Sequence, residues 1–174
     1  MMLIINIVFI ATLAIRFYSL SISIKNEKAL IAKGAIQYGK INSNLLSVVH
    51  ILFYTSAIIE ANYKNVPFDT LSQIGLVILV FAIIMLFYVI YSLNEIWTVK
   101  IYILPEHKIN RSFLFKYVRH PNYFLNIIPE LIGLSLLCQA SYTAMLGLPI
   151  YLTLLTIRIR QEERAMKHLF NRAI

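Results

Sequence analysis

The chain has 174 residues, of which 59% are hydrophobic and only 14% charged, and its mean hydropathy is +0.72. A soluble domain carries roughly a quarter charged residues, and a single domain of this length cannot bury so much apolar surface; the excess must face lipid, which excludes an ordinary soluble enzyme. Five Gly and five Pro exclude a collagen-like or low-complexity chain, the lone Cys138 excludes an intrachain disulfide, and no Cys/His pairing points to a metal.

Five apolar stretches follow one another along the chain. The first, residues 3–24, is interrupted by Arg16. No basic residue precedes it and no small-residue cleavage site follows it. Lys25, Lys28, Lys33 and Lys40 come after it instead, so it reads as an uncleaved anchor with its N-terminus outside, not as a signal peptide. The second, 45–61, contains His50 and Glu60. The third, 74–93, has no charge at all and meets the roughly 20-residue length of a spanning helix. The fourth, 123–138, and the fifth, 142–157, are shorter and separated only by Gln139, Ala140 and Ser141; they read as a tight helical hairpin that need not cross the full thickness. No segment alternates with period two over strand length, which argues against a β-barrel. The expectation is an all-α polytopic membrane bundle, one domain over 1–174, with about five transmembrane helices and a C-terminal cytoplasmic helix.

Charge placement tests this topology separately. With the first span running inward, residues 25–43, 94–121 and the tail after Ile157 lie in the cytoplasm and carry four, five and five Lys/Arg, whereas the opposite side has only Lys64. The positive-inside rule favours this orientation. It also accounts for the net charge of +8 without a nucleic-acid partner, which would require basic residues clustered on one soluble module.

Two groups of ionisable residues stand on the cytoplasmic side. Lys116, Tyr117, Val118, Arg119, His120, Pro121, Asn122 and Tyr123 lead into the fourth stretch. Pro121 suits the first position of a helix, where its missing N–H costs nothing, which places His120 at or near the cap. The free N–H groups of a helix start favour an anion, and Arg119 reinforces that; Tyr117 and Tyr123 offer aromatic faces to a cation or a flat heterocycle. The second group, Arg158, Ile159, Arg160, Gln161, Glu162 and Glu163, follows the fifth stretch directly. If the helix continues, Arg158 and Glu162 are one turn apart on one face. A hairpin returns both groups to the same bilayer surface, where an anion-binding helix start beside a carboxylate pair suits a zwitterionic ligand. The same basic residues also serve as topology determinants, and Arg160, Glu163 and Lys167 also fit a solvated helix face.

The run from His107 to Tyr123, followed by a hydrophobic hairpin and then Arg158, Glu162 and Glu163, resembles the isoprenylcysteine carboxyl methyltransferase family of integral membrane enzymes. The RHPxY and RxxxEE motifs occur in the family's order, and the resemblance covers residues 105–169. The N-terminal half, with Lys25, Asn26, Glu27 and Lys28 and then Lys33, Gly34 and Ala35, looks like the small bacterial members, some of which methylate lipid-tailed pyrones. The resemblance implies S-adenosylmethionine as cofactor, no metal, and O-methylation of the carboxylate or hydroxyl of a lipophilic acceptor taken from the membrane, either prenylcysteine-like or a lipid-tailed small molecule. It also implies site roles. His107, Tyr117, Arg119, His120, Tyr123 and Glu163 would bind the cofactor, with Glu163 meeting its ammonium or ribose. Arg158 would orient the acceptor's oxyanion, and Glu162, or His120, would serve as base for a hydroxyl acceptor.

Three features depart from the family pattern: Phe113 and Leu125 stand where many members have glycine, and no FG-x-x-Y-x-x-Y extension follows before Ile174. They argue for an acceptor other than a prenylated protein. Inside the spans, Glu130 is costly at its depth and is expected to serve a pocket or to be paired, with Arg16 as the candidate partner. His50 is expected to make an interhelical hydrogen bond, and Glu60 to anchor the outer end. Two alternatives compete: an NADPH-dependent sterol-reductase-like membrane enzyme, and a non-catalytic membrane scaffold. The bacterial inner membrane is the expected location, with the site facing the cytoplasm. A reporter fused after Ile174 should read cytoplasmic and one inserted near Asn65 external; a cytoplasmic signal at Asn65 contradicts this topology.

Overall fold

The computed structural model describes residues 2–104 and 118–170, with side chains as far as Met166. Helix α1 spans Met2–Ala32, α2 Lys40–Tyr63 and α3 Thr70–Leu93. A π-helical segment, Asn122–Ile127, runs directly into α4, Ile128–Leu137, and α5 spans Ser141–Phe170. Four of these are long and apolar enough to cross a bilayer (Met2–Ala32, Lys40–Tyr63, Thr70–Ile96 and Ser141–Met166), while Asn122–Leu137 is a shorter apolar helix. The protein is an all-helical membrane bundle.

Three details differ from the sequence expectation. The first helix continues past its apolar stretch to Ala32, because Lys25, Asn26, Glu27 and Lys28 are compatible with a helix that has left the hydrocarbon. The fifth span and the C-terminal helix are one continuous α5 of 30 residues, since no breaker lies between Ile157 and Glu163. A two-stranded ribbon also forms: β1, Ile36–Tyr38, pairs antiparallel with β2, Ile101–Ile103, with Ile36 opposite Ile103 and Tyr38 opposite Ile101. Three residues per strand are too few to show alternation, so the pairing is invisible in the pattern.

At most 28% of the apolar window of any long span is buried inside the bundle, which leaves the remainder to lipid. The buried face of α3 is narrow and small: Ser72, Gly75, Leu79, Ala82, Leu86 and Val89 recur at helical spacing. It meets α4 at near backbone contact. A Cβ on Gly75 would collide with the backbone nitrogen of Leu137, and one on Gly133 would lie 2.7 Å from the backbone nitrogen of Leu79. Small residues at such a crossing replace the hydrophobic drive that lipid removes.

Polar clamps close each end. At the Lys64 end, Glu60 of α2 accepts hydrogen bonds from the backbone N–H groups of Tyr142 and Thr143 at 3.0 and 2.9 Å, from the Thr143 hydroxyl, and from Lys64. It thereby satisfies free donors at the start of α5, the anchoring expected of it. Gln139, with φ +46°, makes the hairpin turn, and its amide donates to Pro67 O and Asp69 Oδ1. At the other end the ribbon packs Ile101 and Ile103 against Ala165 of α5. Asn26 of α1 donates to the carbonyls of Asn94 and Trp97, and Ser23 accepts from the N–H of Val99. Lys100 and Tyr102 both reach Glu27.

Candidate functional site

Helical bonding in the fourth crossing starts at His120, whose carbonyl accepts from the N–H groups of Tyr123 and Phe124 at 3.0 and 3.1 Å. Pro121 follows in helical geometry, at φ −62°. The helix therefore begins where the sequence places it. It is wound as a π-helix over Asn122–Ile127, where Pro129 supplies no N–H to the carbonyl of Leu125 four residues earlier. Asn126 Nδ2 donates across this segment to Asn122 Oδ1 at 3.0 Å.

From α5, Arg158 and Glu162 do share one face, and Tyr123 shows it. The Tyr123 hydroxyl donates to Glu162 Oε2 at 2.7 Å and accepts from Arg158 Nε at 2.8 Å. Arg158 is 5% exposed. Its Nη1 donates to Ser43 Oγ at 2.7 Å, and its Nη2 donates to the Val99 carbonyl. One guanidinium thus ties together α2, α5, the π-segment and the strand-leading loop, each contact charge-assisted and stronger than a neutral hydrogen bond. Three of its five N–H donors are committed in this way. Sequence reasoning missed Ser43 and the Val99 carbonyl.

Beside this hub lies a histidine between two carboxylates. The His120 ring stacks on Tyr123 with centroids 5.7 Å apart. Its Nδ1 lies 3.5 Å from Glu162 Oε1 and its Nε2 3.4 Å from Glu163 Oε1. Nδ1 is buried without a hydrogen-bond partner. Burial works against the charged ring, but contact with Glu162 and then Glu163, and their charge, outweighs it and holds the His120 pKa above its ordinary value of 6.5. Arg119 is largely exposed and only 3.9 Å from Glu163, a surface pair of little energetic weight. His107 and Tyr117 lie outside the described residues, as do Phe113 and Lys116.

A second polar layer sits deeper. Arg16 Nε donates to Glu130 at 2.5 Å, so Glu130 is paired with the partner the sequence suggests. Arg16 Nη2 reaches Asn126 Oδ1 at 3.0 Å, and the Tyr54 hydroxyl also donates to Glu130. His50 stacks on Tyr54 and contacts the Tyr151 hydroxyl at 3.3 Å, the interhelical bond expected of it. Ser43 and His50, Tyr123 and Glu130, and Tyr151 and Arg158 are each seven positions apart. In the two α-helical intervals this is about two turns, so the layers are stacked roughly 10 Å apart along α2 and α5.

Two of the helices beside the site layer run on past it. Beyond Arg158, α5 continues to Phe170, and α1 continues from Ser23, level with Val99, to Ala32. The ribbon lies across this end against α5.

Comparison with known proteins gives a consistent picture. The sequence model of the isoprenylcysteine carboxyl methyltransferase (ICMT) family matches residues 74–168, which adds α3 to the region carrying the motifs. An uncharacterised protein of Haemophilus influenzae is 77% identical over 169 residues, covering 97% of this chain and 98% of its own. The uncharacterised protein YpbQ of Bacillus subtilis is 31% identical over 153 residues, covering 87% of this chain and 90% of its own. No solved structure matches the chain.

Because the folded-state pKa of His120 is raised, its contribution to stability is fully present below the unfolded value of about 6.5 and is lost as pH rises through the folded value. Thermal unfolding in detergent should therefore show His120→Gln less stable than the parent at pH 6, with the gap closing at alkaline pH. A gap that widens with pH contradicts the assignment of the charge to this ring.

Proposed function

This chain belongs to the isoprenylcysteine carboxyl methyltransferase family, and on that premise we propose that it transfers a methyl group from S-adenosylmethionine to the carboxylate or hydroxyl oxygen of a lipophilic acceptor. The observation that carries the reading is the meeting of the two motifs: His120 and Tyr123 from one side of the hairpin contact Glu163 and Glu162 from the other. The chemistry of these groups fits the cofactor. A carboxylate pair, one of whose members, Glu163, is open to solvent, suits a ligand bearing cationic ammonium and sulfonium groups and ribose hydroxyls. Bound there, S-adenosylmethionine supplies an electrophilic methyl group.

The protein's part is then positioning, exclusion of water and provision of a deprotonated oxygen. Glu163, nearly half exposed, would take the ammonium or ribose, with Arg119 beside it and His107 and Tyr117 completing the pocket. Arg158 holds the Tyr123 hydroxyl, and its uncommitted N–H groups would orient the acceptor oxygen; arginine keeps its charge even in so dry a place. A carboxylate acceptor needs no base, whereas a hydroxyl would lose its proton to Glu162 or His120. Placed at the end of the short crossing, the site would take its cofactor from water and its acceptor from lipid, at the cytoplasmic face of a bacterial inner membrane. The bulkier Leu125 and Phe113 in place of the family's glycines would leave less room beside the motif, which favours a lipid-tailed small molecule over a prenylated protein terminus.

Calorimetric titration of the purified protein should show S-adenosylhomocysteine binding. His120→Ala and Glu163→Ala should each weaken it by about tenfold to a hundredfold, as loss of a charge-assisted hydrogen bond of roughly 1.5–3 kcal/mol implies. With labelled S-adenosylmethionine, label should enter a membrane lipid extract rather than a farnesylcysteine analogue. Binding of NADPH in place of S-adenosylhomocysteine would transfer the chain to the reductase reading.

A further inference from the structure

We propose that Arg16 is a positioning residue for the site, its guanidinium fork fixing the winding of the 122–127 segment and so the placement of Tyr123 and His120. The proposal rests on the methyltransferase reading only for what the placed residues do. The contacts stand without it.

A six-residue π-helix is rare and poorly bonded by itself, and such segments persist only where their surroundings over-determine them. Here the surroundings are specific. Asn126, in the last turn of the π-segment, and Glu130, in the first turn of α4, are both fully buried. Arg16 of α1 engages both: Nε donates to Glu130 at 2.5 Å, and Nη2 meets the same carboxylate and also donates to Asn126 Oδ1 at 3.0 Å. The fork therefore straddles the junction between π and α winding. Asn126 in turn passes the constraint back to Asn122 at 3.0 Å, beside Tyr123. Glu130 is held on its other side by Tyr54 of α2.

A π-segment carries one more residue than the α-helix spanning the same length. Relaxing it to α winding would rotate everything before it by about 100° relative to α4. Tyr123 would swing off Arg158 and Glu162, and His120 off the carboxylates. A planar, bidentate guanidinium fits this task and a lysine does not, because a single ammonium cannot hold both acceptors in fixed relation.

The test pairs two readouts. In hydrogen exchange of the cofactor-free protein, Arg16→Lys, which keeps the charge, should raise exchange over residues 119–127 and leave α2 and α3 unchanged. Asn126→Ala, which keeps the Arg16–Glu130 pair, should reproduce the local effect, so the test survives if the lysine variant does not fold. Arg16→Lys should also weaken S-adenosylhomocysteine binding at least tenfold in the parent, but less than threefold in an Asn126→Ala background, where the fork has already lost its hold on the π-segment. Exchange rising evenly through all helices, exchange unchanged, or fully additive losses of affinity would overturn the proposal. Should the parent bind no S-adenosylhomocysteine, the cofactor reading falls while the exchange data still decide the role of Arg16.

Discussion

Hydrocarbon offers no water to an ionised side chain, so each one carried into the spans must find its partners within the protein. The fold answers this with one seam. Arg16 and Glu130 neutralise each other across α1 and α4, and Asn126, Tyr54, His50 and Tyr151 complete their surroundings. Arg158 repeats the solution two turns nearer the surface with Tyr123, Ser43 and the Val99 carbonyl. Removing one partner of a buried pair leaves an uncompensated charge, typically a loss of about 3–5 kcal/mol. The helices are therefore held in register by polar contacts that water would otherwise weaken, while their outer faces remain free to meet lipid.

The seam also explains why the candidate site lies where it does. The crossing Asn122–Leu137 is short, and its Leu137 end is fixed against α3 by the Gly75–Gly133 approach. At its other end α1 and α5 run on past the site layer, to Ala32 and Phe170, and Tyr123 is buried there while Arg119 stays exposed. Ribbon and α1 side chains then hold the 94–104 segment so that the Val99 carbonyl meets Arg158.

Much of this was legible in the sequence because hydropathy and charge act over whole segments. Apolar runs announce the spans, lysines and arginines announce the ends, and the RHPxY and RxxxEE residues announce the surfaces that meet. Even the Arg16–Glu130 pair follows from the cost of an acid at depth. The remainder depends on single contacts with no periodic signature. The ribbon has three residues per strand, and the extent of the π-winding ahead of Pro129 depends on the contacts of Arg16 and Asn126. Ser43 looks like any small polar residue at a helix start, although its seven-residue offset from His50, repeated in Tyr123 and Glu130 and in Tyr151 and Arg158, is a readable sign of two stacked layers. The depth of Arg158 could not be inferred either, since an arginine just past an apolar run ordinarily snorkels to water.

The central claim is that one cofactor pocket is assembled across the hairpin by the 119–123 segment and the Glu162–Glu163 pair. Ultraviolet cross-linking of labelled S-adenosylmethionine to the protein in native membranes, followed by peptide mapping, tests it directly. Label confined to peptides containing His120 and Tyr123 or Glu162 and Glu163, and displaced by S-adenosylhomocysteine, is the predicted result. Displaceable label on the opposite end of the bundle, around Lys64 and Gln139, would contradict it.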